Sequence, residues 1–354
     1  MPYQAVRTRP DEARDALTAL WADNLPISPV GCAAKHRWFY LDGPGGMADA
    51  FLLSTNEGVD AGRPVGCAGI GRRTFVLRGR PFSAALLADL VVDRRHRSGF
   101  PALTLQRAVR RFAHDACDVT YGFPNRHAVA LHLKLGYREL GKVVRWVRLI
   151  EHAPYVKRVV DRPVLTKAAG ALLDDLTTAR DAVFATPKRI TRRLVWGPPI
   201  DARFDALWDE VATRDQITAR RDAKFIRWRH ADRPAPKAEL ATLVARGSGR
   251  LRAWAAIVEI EDRYEIADFL AATAEDLSAL LALVVPALRA RGGSSISLCY
   301  LGAPWVTDVL RARAFRPREA ARTVIVDPGK SGALDPTELL DARRWYVTDA
   351  DEDA

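Results

Sequence analysis

Cysteine is scarce in this chain: Cys32, Cys67, Cys117 and Cys299 are the only four among 354 residues. They stand far apart, with no Cys-x-x-Cys pair and no Cys/His spacing. A sequence-evident zinc site is thereby excluded, no metal is expected, and nothing calls for a disulfide framework. No run approaches the ~18 uninterrupted apolar residues of a membrane span. Met1 to Asp15 mixes arginine with acidic residues where a secretory leader needs an apolar core. A soluble, cytoplasmic protein is the expectation. Zinc-finger, RNA-binding sheet and basic-zipper motifs are all missing, which makes nucleic acid an unexpected partner.

What is present is ordinary globular composition, 48% hydrophobic and 27% charged, which argues against disorder or a fibrous repeat. At about 150 residues per domain the length suggests two domains. The net charge of +11 is uneven. Asp335 to Ala354 holds seven acids and two arginines, whereas Gly141 to Arg233 holds 20 Lys+Arg against 12 Asp+Glu. Such basic surface suits an anionic partner, such as a phosphorylated cofactor, a lipid headgroup or a nucleic acid; it is equally what an arginine-rich composition uses to solvate itself.

Along the chain, Asp11 to Asp23 has helical spacing, and Pro26 to Pro44 reads as irregular and aromatic. Val65 to Ile70, Thr74 to Leu77 and the long apolar Phe82 to Val92 read as strands, with Gly79 at a turn. Pro101 to His114 predicts a helix, Asp118 to Tyr121 a short strand, and His127 to Leu135 a second helix stopped by Gly136. Val143 to Leu149 closes this half as a strand. Residues 151–200 are broken by prolines around a helix-like Leu165 to Phe184 and read as a connector. The boundaries that follow are 1–150, 151–200 and 201–354.

A weak internal repeat links the halves. Trp38-Phe-Tyr-Leu-Asp42-Gly-Pro44 matches Trp228-Arg-His-Ala-Asp232-Arg-Pro234. Leu86 to Val92 (LLADLVV) matches Glu265 to Ala271 (EIADFLA), and Leu133 to Arg138 (LKLGYR) matches Arg311 to Arg316 (RARAFR). Three matches in one order predict a duplicated α/β fold.

The motif with chemistry lies in the first half. Val92-Asp-Arg-Arg-His-Arg97-Ser-Gly-Phe-Pro-Ala102 joins a strand to a helix through a basic turn. A diphosphate needs backbone N–H donors and the positive end of a helix, which such a turn supplies, with Arg97 adding charge and Ser98 a hydroxyl. Asn125, Ala128, His132, Gly136 and Tyr137 follow in order. Together these residues resemble the GNAT superfamily of acyl-CoA N-acyltransferases, whose Arg-x-x-Gly-x-Gly/Ala turn and N-x-x-A-x-x-x-Y-x-x-x-G-[FY] helix they match over roughly residues 65–150.

The resemblance implies a tandem GNAT fold, with two mixed central sheets flanked by helices, of the kind found in bacterial polysaccharide and cell-envelope clusters. It implies acetyl-CoA or another acyl-CoA as co-substrate, held by Val91, Val92, Arg97, Ser98, Gly99, Phe100, Pro101, Ala102 and Asn125. The acceptor it implies is a primary amine, such as an amino sugar or envelope precursor.

Two positions depart from the family pattern. Phe100 stands where the family prefers glycine, so a left-handed backbone there is costly, and Pro101 removes an amide donor. His132 replaces a general-acid tyrosine; its imidazole could protonate a leaving thiolate, or simply sit in the groove of an amphipathic helix.

Asp89 is the candidate base: a strand carboxylate among Leu87, Leu90 and Val91 is desolvated and its pKa raised. The alternative is a structural ion pair with Arg107 or Arg126. Asp268 repeats the position in the second half, but the residues after it are acidic and without glycine, so no acyl-CoA is expected there. Trp38, Tyr40 and Arg229 are the candidate acceptor contacts, from clusters that also hold Lys35, His36, Arg37, Phe39, Arg220, Arg221 and Trp228. Such residues are as well suited to packing, with guanidinium groups stacked on rings. Two other functions stay open: a Fem-type transferase, which resembles this pairing but takes aminoacyl-tRNA, and a catalytically degenerate binding protein.

Overall fold

The longest ladder forms where the sequence is most regular. β3 (Pro64–Leu77) and β4 (Arg80–Val92) make an antiparallel hairpin from Leu77↔Arg80 to Gly66↔Val92. Its two-residue loop puts Arg78 at φ 50° and Gly79 at φ 76°, the positive values that tight hairpin turns require. This is a computed structural model, and it describes residues 2–97, 100–152 and 163–353. Ser98, Gly99 and part of the 151–200 connector lie outside the described residues.

The other strands of the first half are β1 (Tyr3–Thr8), β2 (Asp49–Thr55), β5 (Val119–Gly122) and β6 (Arg138–Leu149). The second half supplies β7 (Arg192–Trp196), β8 (Ile217–Ala219), β9 (Glu239–Ala245), β10 (Leu251–Ile260), β11 (Arg263–Ala271), β12 (Ser295–Gly302), β13 (Arg316–Pro328) and β14 (Trp345–Val347). They form one 14-stranded sheet in the order β1-β2-β3-β4-β5-β13-β6-β12-β11-β10-β9-β7. The expectation of two central sheets is therefore corrected: β6 hydrogen-bonds to β12 on one side and to β13 on the other, both from the second half. β13 in turn lies against β5. Each half's last long strand thus pairs with the other half's short parallel one, which covers edges that would otherwise be left open. β8 and β14 bridge β3 to β12 and close a ring of eight strands.

The repeat has a structural counterpart at the centre. Trp38 and Trp228 each come from a single π-helical turn, His36–Leu41 and Arg227–Ala231. Their rings stack at 4.7 Å and 12°. Each indole N–H donates to the other residue's carbonyl, both at 2.8 Å. The segment expected to be irregular is thus helical from Pro29 to Leu41, with Ser28 capping it and Pro29 opening it.

The helix Pro101–Ala116 buries Leu105, Val109 and Ala113 on Phe51, Leu53, Ile70 and Ala85, each worth roughly 1–3 kcal/mol of burial. The corresponding helix of the second half, Ala274–Ala290, buries Leu277, Leu280, Leu281, Val284, Val285 and Leu288. Among the described residues no helix is long and apolar enough to cross a membrane.

Candidate functional site

The parallel ladder between β4 and β5 is short. It runs Ala84↔Val119, Ala85↔Thr120, Leu86↔Tyr121 and ends there, although β4 continues to Val92. Beyond Leu86 the two strands part, and the wedge is a cavity of about 140 Å³. Asp89, Gln106, Asn125, His132 and Asp353 line it, so three residues singled out from the sequence meet here. Val91 and Val92 are buried at the end of β4, paired with Cys67 and Gly66.

Asp89 reaches the wedge through a β-bulge. Ala88 faces Gly69 and Val91 faces Cys67, so Asp89 and Leu90 oppose the single residue Ala68. The bulge holds Asp89 at φ 49°, a left-handed backbone that aspartate tolerates better than branched residues do. Its carboxylate accepts from Lys35 Nζ at 2.7 Å and from the Tyr40 hydroxyl at 2.8 Å. The partner is thus Lys35, correcting the expectation of Arg107 or Arg126, and both carboxylate oxygens are engaged.

Tyr40 is buried, and burial beside Asp89 raises its phenol well above the usual value. It positions Asp89, correcting its reading as an acceptor contact. Trp38 spends its N–H on Trp228, and both copies of the W-x-x-x-D-x-P motif line an outer groove of about 520 Å³. Arg229 is buried and lines a different cavity.

His132 is buried, and burial lowers its pKa below the usual imidazole value. Its Nδ1–H donates to the Ala128 carbonyl at 2.9 Å, which leaves Nε2 for the wedge. In this neutral tautomer Nε2 accepts rather than donates, so the ring is poorly set for the proton-donor role. Asn125 uses its side-chain oxygen to accept from the N–H groups of His127 and Ala128, capping the turn into Val129–Lys134.

At the turn after β4, Arg97 Nε donates to the Val92 carbonyl at 3.2 Å, holding an exposed guanidinium beside the strand end. Phe100 does adopt the left-handed backbone, at φ 64° and ψ 33°, with its ring 78% exposed. The strain expected of a Cβ there is accepted, and Pro101 opens the helix with Ala102 after it. Pro101 leaves this helix start with one main-chain donor fewer than another residue would give it.

Two residues of the wedge, Gln106 and Asp353, escaped sequence reasoning. Gln106 is buried with Oε1 unpartnered among the described residues. A polar residue between Leu105 and Val109 on an otherwise apolar face was its signal. Lys35, read from the sequence only as a possible acceptor contact, is the residue that pairs with Asp89. Asp353 belongs to the acidic stretch, which docks instead of standing in solvent.

Docking is enforced by Arg221, whose buried guanidinium donates to Asp268 at 3.0 Å, Thr348 Oγ1 at 3.1 Å and Asp351 at 2.6 Å. Asp353 ends up with Oδ2 3.3 Å from the Asp89 N–H and 3.9 Å from Lys35 Nζ. Burial raises its carboxyl above the usual carboxylate range, against the pull of Lys35.

The equivalent gap in the second half is used differently. The β11–β12 ladder stops at Ile266↔Leu298, and β14 then pairs with Leu301 and Gly302 of β12. Burial opposes ionisation of Asp268, but Arg221, His230 and Thr348 hold its carboxyl below the usual range. Asp276, in the first turn of Ala274–Ala290, is taken by Arg192 and Arg252.

No family model matches the chain, and no curated protein matches it in sequence. Solved structures do. A probable N-acyltransferase of Enterococcus faecalis is 9% identical with a TM-score of 0.64, over 93% of this chain and 73% of its own. A GCN5-related N-acetyltransferase from Anabaena variabilis is 11% identical with a TM-score of 0.63, over 96% and 75%. Another, from Kribbella flavida, is 12% identical with a TM-score of 0.58, over 92% and 71%.

The chain has the GCN5-related N-acetyltransferase fold. Within that fold the β4–β5 wedge and the turn at Arg97 are where the sequence motifs fall.

Proposed function

We propose that the chain transfers an acyl group from a coenzyme A thioester to a primary amine in the β4–β5 wedge. The observation that carries this is the parting of β4 and β5 beyond Leu86 into a cavity lined by two carboxylates, Asp89 and Asp353, on the strand side that leads through the basic loop to a helix N-terminus. Arg97 and the first turn of Pro101–Ala116 would hold the diphosphate, with Val91, Val92 and Asn125 along the pantetheine. Ser98, Gly99, Phe100 and Ala102 complete the loop.

The base is reassigned. Both carboxylate oxygens of Asp89 are engaged by Lys35 and Tyr40, whereas Asp353 meets, among the described residues, only the Asp89 N–H and the more distant Lys35, and burial raises its carboxyl above the usual range in the direction a base needs. Asp353 takes a proton from the ammonium, and the freed lone pair attacks the thioester carbonyl. A C–N bond forms, the C–S bond breaks, and the thiolate takes the second proton from the amide nitrogen. Gln106 is the buried polar group available to the thioester or amide atoms in the wedge.

The symmetric strand path and the paired tryptophans support reading the chain as two copies of the fold, divided near 1–150 and 201–354. An amino sugar or envelope precursor remains the acceptor suggested by resemblance. A second, non-catalytic reading draws on the strained Phe100, on Pro101 and on the neutral His132.

Calorimetric titration with acetyl-CoA and longer acyl-CoAs decides between them. Micromolar binding that Arg97→Glu abolishes is the expected result, and amine-dependent release of free thiol should follow. Silence toward every acyl-CoA overturns the proposal, and binding of tRNA in their place favours the aminoacyl-tRNA reading.

A further inference from the structure

A second cavity, of about 350 Å³, lies over the central strands where the two halves share the sheet. Four guanidinium groups line it, those of Arg145, Arg229, Arg233 and Arg322, against the carboxyls of Glu265, Asp349 and Glu352. The protein's own pairing leaves this set unbalanced. Arg322 takes both Asp349 and Glu352, and Arg145 donates to Ser297 Oγ at 3.1 Å.

Arg229 is 3% exposed, and its Nη2 donates to the Asp349 carbonyl at 2.9 Å. Its Nη1 is buried with no hydrogen-bond partner among the described residues. A buried guanidinium N–H without an acceptor costs free energy that a ligand anion would recover. Arg233 adds a second guanidinium, and both stack on Trp38, at 5.5 and 5.8 Å from its ring. The Trp38–Trp228 stack fixes that ring in turn. Burial and the nearby Asp349 raise the Glu265 carboxyl, which lessens its repulsion of an anion. Asp349 Oδ2, buried and without a hydrogen-bond partner among the described residues, offers an acceptor for a ligand hydroxyl or ammonium.

Consecutive residues link this cavity to the wedge, Glu352 lining the one and Asp353 the other. We infer that this cavity binds the acceptor through an anionic group the acceptor itself carries, a carboxylate or a phosphate, held by Arg229 and Arg233. The word acceptor rests on the acyl-transfer reading; the anion site does not.

Calorimetric titration without coenzyme A tests it with matched probes: glucosamine 6-phosphate against glucosamine, and glycylglycine against glycylglycine amide. In at least one pair the anionic member should bind at least about tenfold tighter, a preference that Arg233→Gln cuts by about tenfold and Arg229→Gln removes. The pair that responds identifies phosphate or carboxylate. If Arg229→Gln does not fold, Arg233→Gln alone decides. Equal binding within both pairs, or a preference untouched by Arg233→Gln, overturns the site. An anion preference without any acyl-CoA binding sustains the site while removing the acyl-transfer reading.

Discussion

Replacing Lys35 by methionine should expose the electrostatic balance of the wedge. The Lys35 ammonium lies 2.7 Å from Asp89 and 3.9 Å from Asp353, with its side chain 17% exposed and that of Asp89 3%. Removing one partner of a buried pair costs about 3–5 kcal/mol, and the partial solvent access of Asp353 places the expected loss near the lower end, about 3 kcal/mol at pH 7.5. Burial lowers the ammonium's pKa, but Asp89 and Asp353 more than reverse this and leave it raised. Its contribution is therefore fully present below the unfolded lysine value and is lost only in strong base.

In the variant, Asp353 loses the one cation that pulls its raised carboxyl down. A carboxyl whose folded value exceeds its unfolded value of about 4 weakens the fold increasingly as pH rises between the two. The loss should consequently be greater at pH 7.5 than at pH 5. Urea unfolding at both pH values measures it, and Asp89→Asn added to Lys35→Met should recover part of the loss. A loss below about 1 kcal/mol at pH 7.5, or one equal at both pH values, would refute the reasoning.

Gly69→Ala should lower the thermal midpoint, because a Cβ there lands on the Tyr40 hydroxyl and must displace it from Asp89. Overpacking of this kind costs about 1–3 kcal/mol, and Tyr40→Phe, which removes the colliding oxygen, should restore part of it. Asp353→Asn should lower kcat/KM for the amine by about 100-fold or more, as loss of a general base does, and remove the acidic limb of its pH profile. An acetyl-CoA affinity unchanged within about threefold would separate that effect from misfolding.

Local pattern made the first half legible. The apolar run of β4, the helical spacing after Pro101, and the Asn125-to-Gly136 turn and helix are short-range signals, and each fell near its place. The cost of a left-handed Phe100 was readable because a Cβ penalty is a property of one residue, but that the chain accepts it was not. The repeat was legible for the same reason, since Trp38 and Trp228 come from matching local turns.

Tertiary structure decided what depends on distant partners. No local pattern distinguishes β6 closing its own half from β6 inserted between β12 and β13, because side-chain alternation is the same in either register. The three-residue β8 and β14 are too short to carry any period, yet they close the ring of strands. The acidic stretch looks like solvated charge in one dimension. Arg221, 130 residues before Asp351, turns it into a buried segment that delivers Asp353 to the wedge. Sequence alone marked the first half as the one with a candidate site; which partners its carboxylates meet was decided by a lysine, a tyrosine and an arginine that only folding brings near.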